Sequence, residues 1–187
     1  MTVALASIAE LLHLPPGAVP TREEERRAAG ILAERLLAPY GKHFQRDDAL
    51  LPVWPEGFSG SVSHCRGEVA VAVRRGAPLG IDLEEIGRVG EKLFERIAAP
   101  EEEAAYRGRR RDAGADELFR TVVFSAKEAF WKLLRNARSG NPGWRETAVE
   151  FTPESPELTV RGAGITASGN FKRTSGNRIM VILEIAK

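Results

Sequence analysis

The chain of 187 residues is 43% hydrophobic and 28% charged, a composition that is typical of a globular protein and excludes disorder as its main state. Its 27 Lys and Arg residues nearly balance its 26 Asp and Glu residues, so no overall charge attracts nucleic acid or an anionic membrane. A single cysteine, Cys65, excludes an internal disulfide, and the lack of a membrane-span or signal-peptide pattern predicts a soluble cytoplasmic protein.

The first half of the sequence predicts one helix followed by short strands. Thr21 and Glu24 form a capping-box pattern at the start of a helical run that ends near Pro39 and Gly41. Residues 47–60 are rich in proline and glycine and predict a loop. Three strands are predicted after this loop, and the short turns between them indicate a β-meander over residues 59–65, 68–74 and 79–84.

The second half predicts a long helix and closing strands. Pro100 precedes three glutamates, an arrangement that suits the first turn of a helix. Apolar residues recur at helical spacing over residues 116–135, which predicts an amphipathic helix there. A turn is expected at residues 175–177, and strands are expected at residues 148–151, 158–161 and 178–185. This mixture of helices and antiparallel strands predicts an α+β fold.

Two carboxylates in the third predicted strand form the first candidate site. Side chains two residues apart on a strand project to one face, about 7 Å apart, so Asp82 and Glu84 point the same way while Ile81 and Leu83 pack behind them. Mg²⁺ binds oxygen ligands and combines carboxylates with substrate phosphates, which this spacing suits. The alternative is a strand with a solvated acidic face.

The long helix carries the second candidate site. Glu128 and Lys132 lie one turn apart on one helix face, where a carboxylate and an ammonium group can contact the same ligand. The alternatives are a surface ion pair and a capping box formed by Ser125 with Glu128. Because the apolar period already runs through Val122, we expect Ser125 to lie inside the helix rather than at its start.

The third candidate site lies at the end of the first predicted strand. Hydroxyl groups, an imidazole and nearby backbone N–H groups in residues 60–67 can receive phosphate oxygens. Ser63 and His64 are adjacent and project to opposite faces of a strand, so they do not form a nucleophilic pair, and neither do His64 and Cys65. The alternative is a structural histidine at a strand end.

Taken together, residues 61–64, 80–84 and 124–132 resemble, in order and separation, the signature of the 4′-phosphopantetheinyl transferase superfamily. Residues 52–65 are similar to the surfactin- and enterobactin-synthase-associated type. The resemblance implies two pseudo-symmetric halves, each with a helix packed on a small antiparallel sheet. Residues 1–87 are expected to hold coenzyme A phosphates and the first metal ligands, and residues 88–187 to supply the catalytic helix and closing strands of one structural unit.

The implied reaction transfers the 4′-phosphopantetheine arm of coenzyme A to a serine of an apo carrier protein, a peptidyl or an acyl carrier domain, and releases adenosine 3′,5′-bisphosphate. A metal ion and a positioned cation suit this reaction, because charge on the pyrophosphate must be neutralised. By similarity, Asp82, Glu84 and Glu128 bind Mg²⁺, with Mn²⁺ as the alternative. Asp82, Glu128 and Lys132 are the expected catalytic residues, and Glu128 is the expected general base for the carrier serine.

The resemblance also implies which residues bind coenzyme A. Ser63 and His64 match positions that hold its phosphates. Lys132 is expected to contact the pyrophosphate. Lys127 is expected to assist, although it lies about 100° around the helix from the neighbouring carboxylate of Glu128.

Arginines of the first predicted helix extend this binding site. The spacing of Arg26, Gly30 and Arg35 matches the family's first helix and places Arg27 beside the coenzyme A 3′-phosphate. Arg26 and Arg35 lie about 180° apart around the axis, so both cannot face one ligand. We therefore keep Arg27 as the expected contact, with Arg26 in reserve.

Two features depart from the family pattern. Leu51 stands where many members carry a basic residue before the proline, so Arg46 or another cation must replace that phosphate contact. The family's opening strand is expected to be missing or reduced to residues 3–5.

Two other functions fit parts of the sequence. A small trimeric holo-acyl-carrier-protein synthase shares the Gly-Ile-Asp motif near its start, but here the motif begins only at Gly80, which favours a monomer of two halves. A non-catalytic carrier-protein or nucleotide-binding module could use the arginines at positions 107, 109, 110 and 111 to dock acidic helices. Such a module has no need of three carboxylates around one ion.

Overall fold

A computed structural model of the chain describes residues 1–108, 112–152 and 154–185 and has the predicted α+β class. Its helices are α1 (Ile8–Leu12), α2 (Arg22–Leu37), α3 (Glu91–Ile97), α4 (Pro100–Gly108) and α5 (Ala113–Asn136). Its strands are β1 (Thr2–Ser7), β2 (Gln45–Arg46), β3 (Pro52–Val53), β4 (Phe58–Cys65), β5 (Glu68–Arg75), β6 (Leu79–Glu85), β7 (Ala148–Phe151), β8 (Glu157–Gly162), β9 (Ile165–Thr174) and β10 (Arg178–Ile185). None of the described helices is long and apolar enough to cross a membrane.

Two antiparallel sheets lie face to face, and each has helices on its outer side. The first sheet has the strand order β1-β5-β4 and packs Val69, Val71 and Val73 against α2. The second has the order β6-β10-β9-β8-β7 and packs its outer face against α5. Between the sheets, small side chains of β5 meet larger ones of β6 and β10: Ala70, Ala72, Ile81, Leu83, Met180 and Ile182. The layers therefore follow the order helix, sheet, sheet, helix.

Two predictions about the first sheet are wrong. The opening strand is not reduced to residues 3–5, because β1 pairs with β5 along its whole length, from Thr2 opposite Val73 to Ser7 opposite Glu68. The predicted meander does not form either, because β6 joins the second sheet and pairs with β10. Nearly every residue of β6 is buried, on both of its faces, and a strand reaches that state only between two covering layers.

The second half of the chain follows the prediction more closely. The long helix is confirmed as α5, and it begins three residues early because Asp112 caps it by accepting a hydrogen bond from the Ala115 N–H at 2.9 Å. The three predicted strands are confirmed as β7, β8 and β10. The sequence does not predict helix α3, because seven residues are too few to show a helical period of apolar residues. It does not predict β9 either, because glycine and polar residues interrupt the apolar pattern of that strand. Residues 109–111 of the predicted basic segment lie outside the described residues.

Side chains join β4 to β6 where the two sheets meet. The hydroxyl groups of Ser61 and Ser63 on β4 accept hydrogen bonds from backbone N–H groups of β6, each at 3.1 Å. Asn136 at the end of α5 donates to one backbone carbonyl of each strand, at 2.7 and 2.8 Å. The three segments that carry the sequence motifs are thereby brought together. The chain changes sheet between β5 and β6, whereas the expected division after residue 87 stays a prediction.

Candidate active site

Asp82 lies at the centre of the polar cluster between β4, β6 and α5. Its Oδ1 accepts hydrogen bonds from Ser63 Oγ at 2.9 Å and from Lys132 Nζ at 2.7 Å. Its Oδ2 accepts one from Ser125 Oγ at 2.8 Å. Ser125 is fully buried inside α5, which confirms that it does not cap the helix. Both carboxylate oxygens of Asp82 are thus fixed by residues from other elements.

Glu84 projects from β6 on the same side as Asp82, as the alternation of the strand predicts. Arg88 Nη1 lies 3.1 and 3.2 Å from its two carboxylate oxygens, and the Glu85 backbone N–H donates to Oε1 at 2.9 Å. The Cys65 thiol lies 3.8 Å from the same oxygen. Burial and, secondarily, the charge of Glu84 raise the pKa of Cys65 to about 11. Cys65 is therefore a protonated thiol at neutral pH and not a nucleophile.

Glu128 extends from α5 toward these two carboxylates and differs from both in its partners. Burial raises the pKa of Glu128, the negative charges of Asp82 and Glu84 raise it further, and the positive charge of Lys132 opposes them. Within the described parts of the chain, Glu128 makes no hydrogen bond or ion pair, whereas Asp82 and Glu84 each have a cation. A carboxyl group of raised pKa with free oxygens is suited to accept a proton.

The three carboxylates fit a hard divalent cation by their chemistry. They supply only oxygen donors, which Mg²⁺ and Mn²⁺ prefer. Burial raises the pKa of Glu128 most, and the negative charges of Asp82 and Glu84, which such an ion relieves, raise it further. As arranged in residues 1–108, 112–152 and 154–185, no group of three or more His, Cys, Asp or Glu side chains forms a metal site. Lys132 on Asp82 and Arg88 on Glu84 occupy oxygens that a metal ion needs.

We expect the substitution Glu128→Gln to stabilise the protein at pH 8. The fold raises the pKa of Glu128, so ionisation of this group opposes folding above the ordinary pKa of a glutamate, and the cost vanishes below it. The gain in melting temperature should therefore shrink as the pH is lowered from 8 to 4. Thermal unfolding followed by circular dichroism at several pH values measures this, with the exposed Glu95→Gln as the control. An equal gain at every pH, or a loss at pH 8, contradicts the prediction.

Lys127 is placed away from this cluster, on the buried side of α5. It is 0% exposed, and its Nζ donates to the carbonyl oxygens of Ile97 and Trp144, each at 2.8 Å, and lies 2.7 Å from Glu102 Oε2. The Glu102 carboxylate in turn accepts from the backbone N–H groups of Ala99 and Val149, at 2.7 Å each. Lys127 therefore joins α3, α4 and the segment before β7 to α5, and its three N–H groups are taken by protein oxygens.

We expect Lys127→Met to lower the free energy of unfolding by about 3 kcal/mol, because it leaves the Glu102 carboxylate buried without a cation. The double variant Lys127→Met with Glu102→Leu should recover part of that loss, since no unpaired charge remains. Guanidinium-induced unfolding measures both. If Lys127 contacts coenzyme A instead, the single variant will raise the KM for coenzyme A while leaving the stability nearly unchanged.

His64 and the arginines of α2 lie on the other side of β4. His64 Nδ1 lies 3.3 Å from Glu25 Oε1 on α2, and burial lowers the pKa of His64 more than Glu25 raises it. Arg26 and Arg27 are exposed on α2. Arg46 donates to the carbonyl oxygens of Arg26 at 3.1 Å and of Leu50 at 2.8 Å, so a positively charged side chain lies beside the loop that carries Leu51. The positions of Ser63 and His64 on opposite faces of β4 agree with the prediction.

Sequence reasoning missed two residues of this region. Arg88 follows β6 in a short turn, and nothing in its spacing indicates that it pairs with Glu84. Asn136 ends α5 without belonging to any motif, yet it joins β4 and β6. The only available signal was their proximity in sequence to the motifs, which does not specify a contact.

Comparisons with known proteins point to one family. The family model described as "4'-phosphopantetheinyl transferase superfamily" matches residues 78–177, and the model for the "4'-phosphopantetheinyl transferase N-terminal domain" matches residues 11–74. A crystal structure of Thermotoga maritima holo-[acyl-carrier-protein] synthase aligns with 59% of this chain and 64% of its own, at 24% identity and a TM-score of 0.45.

Curated relatives carry matching names. Enterobactin synthase component D of Escherichia coli K12 is 40% identical over 116 residues, which cover 59% of this chain and 54% of that protein. The 4'-phosphopantetheinyl transferase Svp of Streptomyces mobaraensis is 32% identical over 59% of this chain and 46% of its own length. The 4'-phosphopantetheinyl transferase PptT of Mycobacterium tuberculosis is 29% identical over 82% of this chain and 74% of its own. The matched part of the chain spans only 54% of the length of enterobactin synthase component D.

Proposed function

Because the chain belongs to the 4′-phosphopantetheinyl transferase superfamily, we propose that it transfers the phosphopantetheine arm of coenzyme A to a serine of an apo carrier protein. The serine oxygen forms a bond to the phosphorus that carries the arm, the bond from that phosphorus to the bridging oxygen breaks, and adenosine 3′,5′-bisphosphate leaves. The observation that supports this most is the meeting of β4, β6 and α5 at Asp82, which unites three motifs that are far apart in sequence.

Glu128 is the proposed base for the carrier serine. It has free carboxylate oxygens among the described residues, and its pKa is raised by burial and by the carboxylates of Asp82 and Glu84, so it accepts a proton more readily than an exposed glutamate. The proton of the serine hydroxyl moves to Glu128 as the oxygen–phosphorus bond forms. Glu128 is ionised, and can accept the serine proton, only at a pH above its raised pKa.

Asp82 and Lys132 are proposed to meet the pyrophosphate side of the reaction. Asp82, Glu84 and Glu128 would hold Mg²⁺ or Mn²⁺, which when bound neutralises charge on the pyrophosphate oxygens. Lys132 on α5 pairs with Asp82 on β6, and the lysine side chain is 29% exposed, so it can turn from the carboxylate toward an anionic ligand. Ser63 and Ser125 hold the Asp82 carboxylate in one orientation during this exchange.

The remaining parts of coenzyme A are proposed to lie along β4 and α2. His64 and Arg27 are kept as phosphate contacts, with Ser63 near the pyrophosphate. Arg26 and Arg46 lie side by side, which supports a phosphate near the N-terminal part of α2. Lys127 is left out of this set, because its ammonium group is fully buried and its three N–H groups are directed at protein oxygens.

The partner and setting are also part of the proposal. We propose a peptidyl or acyl carrier domain as the substrate protein, a monomer as the active species and the cytoplasm as the compartment. A single buried cysteine is compatible with a reducing compartment, and the near balance of charges gives no general attraction for nucleic acid or anionic membranes.

The direct test is to incubate the purified chain with coenzyme A, Mg²⁺ and an apo carrier domain, and to measure the intact mass of the carrier. We expect the carrier to gain one phosphopantetheine group and to gain none when coenzyme A is omitted. Peptidyl, polyketide and fatty-acid carriers should be compared, because their relative rates identify the preferred class. An unmodified mass for all three overturns the proposed activity.

A further inference from the structure

A polar cavity of about 480 Å³ lies beside the carboxylate cluster, between the start of α2, the β4–β5 turn and the segment after β6. Its basic lining residues are Arg22, His64, Arg66 and Arg88, and we call it the basic cavity. Four basic side chains from three separate segments converge there. Such a lining suits an anionic group, and a phosphate in particular, because guanidinium groups pair with phosphate oxygens through two N–H groups at once.

Three of the four basic side chains, those of Arg22, His64 and Arg66, pair with the carboxylates of Glu25 and Glu85. Arg22 and His64 share Glu25, at 3.5 and 3.3 Å. Arg66 pairs with Glu85 at 2.9 Å. The side chains of Arg22 and Arg66 are 78% and 67% exposed, so solvent can replace their pairing with these two carboxylates when a ligand enters.

Arg88 differs from the others because its partner belongs to the carboxylate cluster. Its side chain is 63% exposed, whereas that of Glu84 is 5% exposed, so the arginine can move and the carboxylate cannot. An arginine guanidinium stays charged at neutral pH in either position. One side chain therefore touches both the cluster and the basic cavity.

A divalent cation and Arg88 compete for the same oxygens. Arg88 Nη1 lies within 3.2 Å of both carboxylate oxygens of Glu84, and a metal ion bound by Glu84 needs at least one of them. Two cations beside one carboxylate also repel each other, which favours release of the arginine. The released guanidinium already lines the basic cavity and adds a positive charge that is no longer neutralised.

We infer that Arg88 couples binding of a divalent cation at Asp82, Glu84 and Glu128 to binding of a phosphate group in the basic cavity. The inference rests on the proposed function for the identity of the metal site. Coupling of this kind is reciprocal: the cation tightens the binding of the phosphate compound by the same factor by which that compound tightens the binding of the cation. When no divalent cation is bound, Glu84 holds Arg88 in an ion pair, and the affinity of the basic cavity for anions is lower.

The experiment measures binding rather than turnover. Adenosine 3′,5′-bisphosphate is titrated into the full chain by calorimetry with and without Mg²⁺, and Mn²⁺ is titrated alone and followed by electron paramagnetic resonance. For the unmodified chain we expect Mg²⁺ to lower the Kd of the bisphosphate about fivefold. For Arg88→Gln we expect the effect of Mg²⁺ to fall below about twofold, and Mn²⁺ alone to bind about threefold more tightly, because its competitor is gone.

Two further variants complete the design. Arg107→Gln is the matched control, because Arg107 is also an exposed arginine paired with a glutamate four residues away, and it should behave like the unmodified chain. Arg88→Lys keeps the charge but not the fork of the guanidinium, and should retain part of the coupling.

The outcomes separate the two proposals. Equal coupling in the unmodified chain and Arg88→Gln, no Mn²⁺ binding at all, or unchanged Mn²⁺ affinity in Arg88→Gln each overturns the role of Arg88. Coupling that depends on Arg88, together with a carrier that stays unmodified, supports the coupling and overturns only the transferase proposal. A modified carrier without such coupling supports the transferase proposal and overturns the role of Arg88.

Discussion

Gly80→Ala is expected to destabilise the fold severely. A β-carbon at position 80 would lie 1.8 Å from the carbonyl oxygen of Ala129 and 3.0 Å from the backbone N of Leu133. Both atoms belong to the backbone of α5, which cannot yield without moving the whole helix away from β6. We expect a loss of more than about 4 kcal/mol in the free energy of unfolding, beyond what added methyl groups in cores usually cause.

Urea unfolding followed by circular dichroism measures this effect, and Gly140→Ala is its control. Gly140 has no atom within 4 Å of the corresponding β-carbon and lies exposed after α5, so its replacement should change stability by less than about 0.5 kcal/mol. A Gly80→Ala protein as stable as this control contradicts the close approach of α5 to β6. The separation between Asp82 and the residues of α5 would then be larger than described.

Asp82→Asn is expected to reduce the rate of the proposed phosphopantetheine transfer at least about 1000-fold while the fold persists. Asparagine has nearly the same shape and can keep the hydrogen bond to one serine, but it removes the charge that holds Lys132 at 2.7 Å. It also removes one of the negative charges that raise the pKa of Glu128. The loss therefore affects the proposed metal site, the lysine and the base together.

The rate is obtained from the intact mass of the carrier over time, and circular dichroism reports on the fold. Asp48→Asn is the matched control, since Asp48 is exposed in the loop between β2 and β3 and should leave the rate unchanged. A rate for Asp82→Asn within tenfold of the unmodified chain removes Asp82 from the mechanism. Loss of Mn²⁺ binding in the same variant distinguishes a metal role from a purely structural one.

Local patterns in the sequence were enough for some of the candidate site. The helical period placed Ser125 inside α5, and strand alternation placed Asp82 and Glu84 on one face of β6. Strand alternation also placed Ser63 and His64 on opposite faces of β4. These predictions depend only on the geometry of one helix or one strand, which the neighbouring residues in the chain dictate.

Adjacent residues of α5 show where such reasoning ends. Lys127 and Glu128 differ by one position, and the resemblance implied coenzyme A as the ligand of Lys127, and a metal ion and the carrier serine as the partners of Glu128. The structure turns them to different sides of the helix, Lys127 into a buried pair with Glu102 and Glu128 toward Asp82 and Glu84. Which side of a helix meets a buried carboxylate depends on α4 and β7, and their arrangement is not encoded near residue 127.

The sequence by itself determined the α+β class, the long helix α5, most of the strands and the residue types of the candidate site. Only the tertiary structure decided that β6 leaves its sequence neighbours for the second sheet, that Gly80 permits α5 to approach it, and that Arg88 holds Glu84. The physical reason is that period and capping are properties of contiguous residues. Sheet membership, close backbone contact and ion pairing instead depend on which distant surfaces bury each other.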